Sequence, residues 1–285
     1  WLPPPLAGLP DANSSKAIKL MSARLQAWTH RKTVALCLLV LLLSLIAWQL
    51  PRLPQPQSYH QFADPWVCLG TAYCLDISSN LLILLAGVHG LIALFRFRSH
   101  LAFCSTIELG LYRFFFAATV LVGLASAYYH FAPDDERLAW DRAALALALM
   151  IWLATMLAER LSPLIGLRLL PLLLVAGLAS VLYWHQSEVI GLGDLRFYLL
   201  TQAVPMLLVP LLLWLYPPRY SADKHVLFII GIYAAALLCD LLDRQIAALL
   251  QLVSGHTLKH ALVALAIHAV WWRLQQRTIL KPPTP

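Results

Sequence analysis

Charged residues are scarce in this sequence: Asp, Glu, Lys and Arg make up 12% of its 285 residues, about half the share in a soluble domain. That scarcity, beside 60% hydrophobic residues and a mean hydropathy of +0.72, excludes an ordinary soluble globular protein. The formal net charge is +7. Even so, no basic stripe interleaved with stacking aromatics is present, and Lys and Arg sit in short segments between apolar runs, so nucleic acid is set aside as a partner. There is no C-x-x-C pair among the 5 cysteines, which argues against a Cys-based zinc finger. Alternation of apolar and polar residues is missing too, which argues against a membrane β-barrel. No internal repeat appears.

What is present is a series of long apolar runs, near residues 33–50, 76–95, 110–130, 142–158, 164–184, 196–216, 224–245 and 257–273. Each is long enough to cross most or all of a bilayer as a helix, and prolines at 163, 171, 205 and 210 mark ends or kinks. The expected fold is an all-α polytopic membrane protein, with a seven-transmembrane-helix core plus one extra N-terminal transmembrane helix. Residues 1–20 read as an expression remnant or a disordered N-terminus, because Met21 looks like the natural start. Residues 21–50 form the anchor, with no small-residue cleavage site after it. Residues 51–75 form a polar and aromatic surface loop, 76–275 the core, and 276–285 a tail. Cys68 and Cys74 share the loop. A disulfide between them is open if the loop faces an oxidising compartment, although small loops strain easily.

Basic residues set the expected orientation. With a cytoplasmic N-terminus, the inside collects most of them, from Arg24, Arg31 and Lys32 to Arg273, Arg277 and Lys281. The outside keeps Arg52, Arg137, Arg142, Arg196, Arg244 and Lys259. The C-terminus is then cytoplasmic too. The same topology brings five residues to the outer face at a similar depth: Ser126, His130, Asp141, His256 and His260.

Those five residues carry chemistry. His256 and His260 stand four apart, so a helix puts both imidazoles on one face. With His130 they make three neutral nitrogen ligands for zinc and leave a fourth position open, the pattern of a catalytic rather than a structural site. Asp141 would serve as general base and then acid. Ser126, one turn before His130, would hydrogen-bond an oxyanion or the metal-bound water. Arg142 would pair with a carboxylate or stay at the interface. Asp240 and Asp243 offer either partners for a ligand histidine or, the reading preferred, a helix-end ion pair with Arg244. Asp76 would cap the second span, and Ser79 and Asn80 would bond between helices. A lone intramembrane histidine more often bonds a neighbouring helix, and His89 and His268 are read so. Two rivals are a seven-helix receptor or channel with structural zinc, and bis-histidine haem. Two ligands on one helix face cannot clamp a haem from both sides.

Ser126-x-x-x-His130, Asp141 eleven positions on, His256-x-x-x-His260 and the Ser79-Asn80 pair together resemble the CREST superfamily of seven-span membrane hydrolases, closest to the alkaline ceramidases. Adiponectin receptors and GPI-remodelling phospholipases are more distant relatives. The resemblance covers about residues 57–275 and leaves out the first anchor. It implies a seven-helix core, zinc on His130, His256 and His260 with Ser126 and Asp141 assisting, and hydrolysis of a membrane lipid amide such as ceramide to a fatty acid and a sphingoid base. Eukaryotic alkaline ceramidases also bind calcium through an acidic segment before the first core helix. Here that region has Asp64 and Asp76 without the acidic cluster, so calcium is doubtful. The extra anchor and short loops resemble bacterial members, whose inner membranes seldom contain ceramide, so another N-acyl lipid or an acyl ester is a substrate to expect. The oligomeric state stays open.

Overall fold

Apolar segments with no water to bond must pair their backbone groups internally, and the chain does so with helices. The structure is a computed structural model; it describes residues 12–280, with side chains from residue 30 onward. The described residues form α1 (Ala12–Gln49), α2 (Cys74–Arg96), α3 (Thr106–Phe131), α4 (Asp135–Arg160), α5 (Pro163–Val189), α6 (Arg196–Leu215), α7 (Asp223–Leu241), α8 (Asp243–Leu250) and α9 (Gly255–Gln276). Among them the only β pairing is two isolated bridges, Cys68 with Thr71 and Tyr220 with Ile279. The all-α polytopic class is as expected. Seven helices are each long and apolar enough to span a membrane, and the pair α8 and α9, bent by 103°, raises the number to eight if it counts as one span.

The chain divides into two units, Trp1–Ile46 and Ala47–Pro285. The first is helical from Ala12, earlier than the anchor expected over 21–50; residues 1–11 lie outside the described residues, as do 281–285 of the expected tail.

In the second unit, α2 packs between α3 and α9, α3 packs on α4, and α4 supports both α5 and α6. Next to α9 stands α7, which barely meets α6. The most buried span is α4, whose alanine-rich inner face (Ala144, Ala146, Ala148, Ala154, Ala158) lets its neighbours approach closely. Helix starts follow local chemistry: Ser105, Asp134 and Ser254 accept backbone N–H groups of α3, α4 and α9. At the first turn of α5, Pro163 needs no donor.

Two expectations are corrected here. The span expected near 224–245 ends early: α7 stops at Leu241, and the chain turns into α8. The cause is Asp243, whose carboxylate accepts backbone N–H groups from Ala63 in the loop and His256 on α9 (3.0 and 2.8 Å) and so belongs to the turn. Nor does Asp76 cap α2. That part is taken by Asp64, whose Oδ2 accepts from the N–H groups of Leu75 and Asp76 (2.7 and 3.0 Å) while its Oδ1 accepts from Trp66. The 51–75 loop is folded back on itself by Asp64 and by a disulfide between Cys68 and Cys74, with Cα atoms 5.5 Å apart.

Candidate metal centre

Two helices deliver the three histidines. His130 lies in the last turn of α3, and His256 and His260 lie in the first turns of α9. Gly255 allows this approach: a Cβ there would meet the Cys239 carbonyl oxygen at 2.2 Å and the Asp243 Cα at 2.7 Å. Only glycine lets α9 begin against the end of α7. All three histidines are at most 3% exposed. Their ligand atoms lie within 4.8 Å of one another, so the group can hold a metal ion.

The hydrogen bonds around the rings test that fit. Asp240 Oδ1 stands 2.6 Å from His256 Nδ1, so Nδ1–H donates to the carboxylate and Nε2 keeps a bare lone pair. Ser79 Oγ donates to the Asp76 carbonyl and stands 2.8 Å from His260 Nδ1. It therefore accepts from that N–H and leaves His260 Nε2 bare as well. His130 Nε2 faces His256 Nε2 at 3.0 Å. Two nitrogens bound tetrahedrally to zinc at about 2.0–2.1 Å would stand about 3.3–3.4 Å apart. The observed separation is close to that, and partners behind two of the rings set the tautomer a metal requires.

Around this centre the expected residues gather. Ser126 Oγ lies 3.5 Å from His260 Nε2, and Asp141 lies beside Ser126. Both line a cavity of 720 Å³, together with His260, Asp240, Lys259, Tyr59, Arg142, Tyr198 and Tyr233. A second, almost wholly apolar pocket of 80 Å³ adjoins it, sharing Val122, Leu145, Met206, Tyr233 and Val263. The ring of Phe62 covers the metal group from the loop, 4.5 Å from His130 and 4.7 Å from His256. In the same loop, burial and then the charge of Asp240 push the Tyr59 phenol above its usual range, keeping it a donor.

Other readings change. Asp240 and Asp243 do not form the helix-end pair with Arg244. Asp240 bridges His256 and Lys259 Nζ (3.3 Å), because a buried carboxylate is best placed between two donors. Arg142 is buried and pairs with no carboxylate among the described residues; Nη2 donates to Gln55 Oε1 at 2.5 Å. Ser79 does bond between helices, whereas Asn80 bonds back to the Asp76 carbonyl. His89 and His268 stack on each other, centroids 5.6 Å apart. The sequence reading missed Phe62 and Lys259. Lys259 had a signal, since it stands three residues after His256 on the same helix. Phe62 had none, because a loop ring has no periodicity to place it.

Comparison with family models, with curated proteins and with solved structures finds nothing that matches this chain.

Proposed function

We propose that the protein is a zinc-dependent hydrolase of membrane N-acyl lipids, of the ceramidase-like kind that the Ser126, His130, Asp141, His256 and His260 pattern resembles, working at the extracytoplasmic face. One observation carries this reading. Three buried imidazoles converge beside a cavity large enough for a lipid headgroup and the start of its chain, with a carboxylate and a hydroxyl next to them. The thin contact between α6 and α7, both of which line that cavity, offers a path by which a lipid enters from the side.

Zinc held there supplies Lewis acidity and makes water a nucleophile near pH 7, that is, at a water pKa of about 7. The protein's own groups do the rest. Asp141 accepts a proton from the attacking water as its oxygen bonds to the acyl carbon. Ser126 donates a hydrogen bond to the charge that develops on the carbonyl oxygen. As the C–N bond breaks, Asp141 returns the proton to the leaving nitrogen, and the products are a fatty acid and an amine. Asp240 holds His256 in its ligating tautomer, and Phe62 keeps bulk water from the metal group. A receptor or channel with structural zinc would call for a fourth protein ligand, and none joins the three histidines among the described residues.

The test is a four-variant panel. His130→Ala, His256→Ala and His260→Ala should each lower bound zinc and abolish hydrolysis of N-acyl lipids, while Asp141→Ala keeps most zinc and loses activity. Unchanged zinc in all three histidine variants would exclude the assignment.

A further inference from the structure

Four arginines are buried among the described residues: Arg142, Arg160, Arg273 and Arg277. Three have a carboxylate. Arg160 pairs with Asp223, and Arg273 and Arg277 both pair with Glu159. Arg142, 5% exposed, has none. Its one polar partner is the neutral Gln55 amide oxygen, and Nη1 has no hydrogen-bond partner. Aromatic rings hold its faces, with Trp184 at 4.0 Å, Tyr198 at 4.7 Å and Tyr59 at 5.6 Å from the guanidinium carbon. A guanidinium cannot shed its proton to escape burial, and a buried charge is normally matched by an opposite one.

We propose that Arg142 is the headgroup-recognition residue of this cavity and selects N-acyl lipids whose headgroup carries a carboxylate, as in an N-acyl amino acid. Arg142 lines the same cavity as Asp141, Lys259 and His260 and follows Asp141 directly in the chain. Lys259 is already tied to Asp240, which leaves Arg142 as the lining cation without a carboxylate. The two cations and two carboxylates of the lining balance, so a divalent ion would make the cavity positive and favour an anionic guest. The rings fix the guanidinium plane, and a preset plane suits a planar carboxylate, which can accept two parallel hydrogen bonds. Gln55, the present partner, is the group a carboxylate displaces.

The reaction rests on the hydrolase reading; the binding does not, and the experiment separates them. Hydrolysis of N-dodecanoylglycine is compared with that of N-dodecanoylethanolamine by the zinc-loaded full chain. The wild type should prefer the glycine headgroup. Arg142→Gln should remove the preference through KM, by about 10–100-fold, the worth of a hydrogen bond to a charged group, and Arg142→Lys should keep part of it. Binding is read separately by calorimetry with N-dodecylsulfonylglycine and N-dodecylsulfonylethanolamine, which lack the scissile carbonyl. Arg142→Gln should weaken the first and spare the second. Equal binding of both by the wild type, or a preference that survives Arg142→Gln, overturns the proposal. Arg142-dependent binding without turnover of either amide keeps it and sinks the hydrolase reading instead. If Arg142→Gln does not fold, the wild-type comparison decides, and no preference there is refutation.

Discussion

Replacing Asp240 with asparagine isolates the group behind the proposed zinc ligand His256 from the ligand itself. Asp240 receives the Nδ1–H of His256 across 2.6 Å and neutralises Lys259 at 3.3 Å. Asparagine keeps the shape and an acceptor oxygen but removes the charge. Losing a partner of this kind typically weakens metal binding 10–100-fold, or about 1.4–2.7 kcal/mol. Two effects push toward the upper end here. The imidazole loses the carboxylate that raises its basicity, and Lys259, mostly buried, keeps its charge without a counterion near an incoming cation. The double variant Asp240→Asn with Lys259→Met should therefore recover part of the loss. Competition with a chromophoric chelator of known zinc affinity, on purified protein in detergent, gives the constant directly. An affinity for Asp240→Asn within a factor of about two of wild type, below the effect a hydrogen-bonded partner normally has, would mean that Asp240 plays no part in holding the metal.

Three further outcomes follow from the packing. Glu159→Gln strands Arg273 and Arg277, which share its carboxylate inside the bundle, and should cost about 3–5 kcal/mol in thermal unfolding while leaving zinc affinity near wild type. Gly255→Ala pushes a methyl into the Cys239 carbonyl and should lower both stability, by about 1–3 kcal/mol, and zinc affinity, since His256 moves with the helix start. Burial alone would raise the Asp194 carboxyl, but hydrogen bonds from Arg196 outweigh it and hold the group below its usual value. A depressed folded value adds stability that is fully present above the unfolded value of about 3.9 and is lost as pH falls through the folded one. Asp194→Asn should thus lower the unfolding midpoint at neutral pH, with a loss that shrinks as pH falls from about 3.9 toward the folded value; an equal loss at neutral pH and in acid would refute the pairing.

The parts of the fold legible in the sequence were those that repeat or alternate. Apolar runs gave the helices because lipid leaves the backbone no other arrangement. The i, i+4 pair on α9 and the shared depth of His130 gave the ligand set because helix geometry and the span order fix both. Places where one side chain answers another across a long stretch of chain stayed hidden. Asp243 ends α7 early because its oxygens are taken by Ala63 and His256, and Asp64 caps a helix that starts ten residues after it. No local pattern marks either. The same is true of Arg142, whose partners come from the loop, α5 and α6.

The helices that build the site also hold it together at their other end. α3 carries Ser126 and His130 near its end and Glu108 and Tyr112 near its start; α4 carries Asp141 and then Glu159; α9 carries His256 and His260 and then Arg273. Glu159 on α4 binds Arg273 on α9, Arg277 just after it and the Tyr112 hydroxyl on α3, so the three helices are tied by a buried charge cluster about 20–27 Å along α3 and α9 from the histidines. A cavity needs helices that stand apart, and helices that stand apart lose packing. With the fastening at that end, the thin contact between α6 and α7 lies beside the site and apart from the histidines, which sit on α3 and α9. On the proposed function, a metal centre on α6 or α7 would move with every lipid admitted. The division of labour therefore predicts that weakening the α6 and α7 contact changes lipid entry before it changes the metal, and that weakening the far-end ion cluster costs stability first.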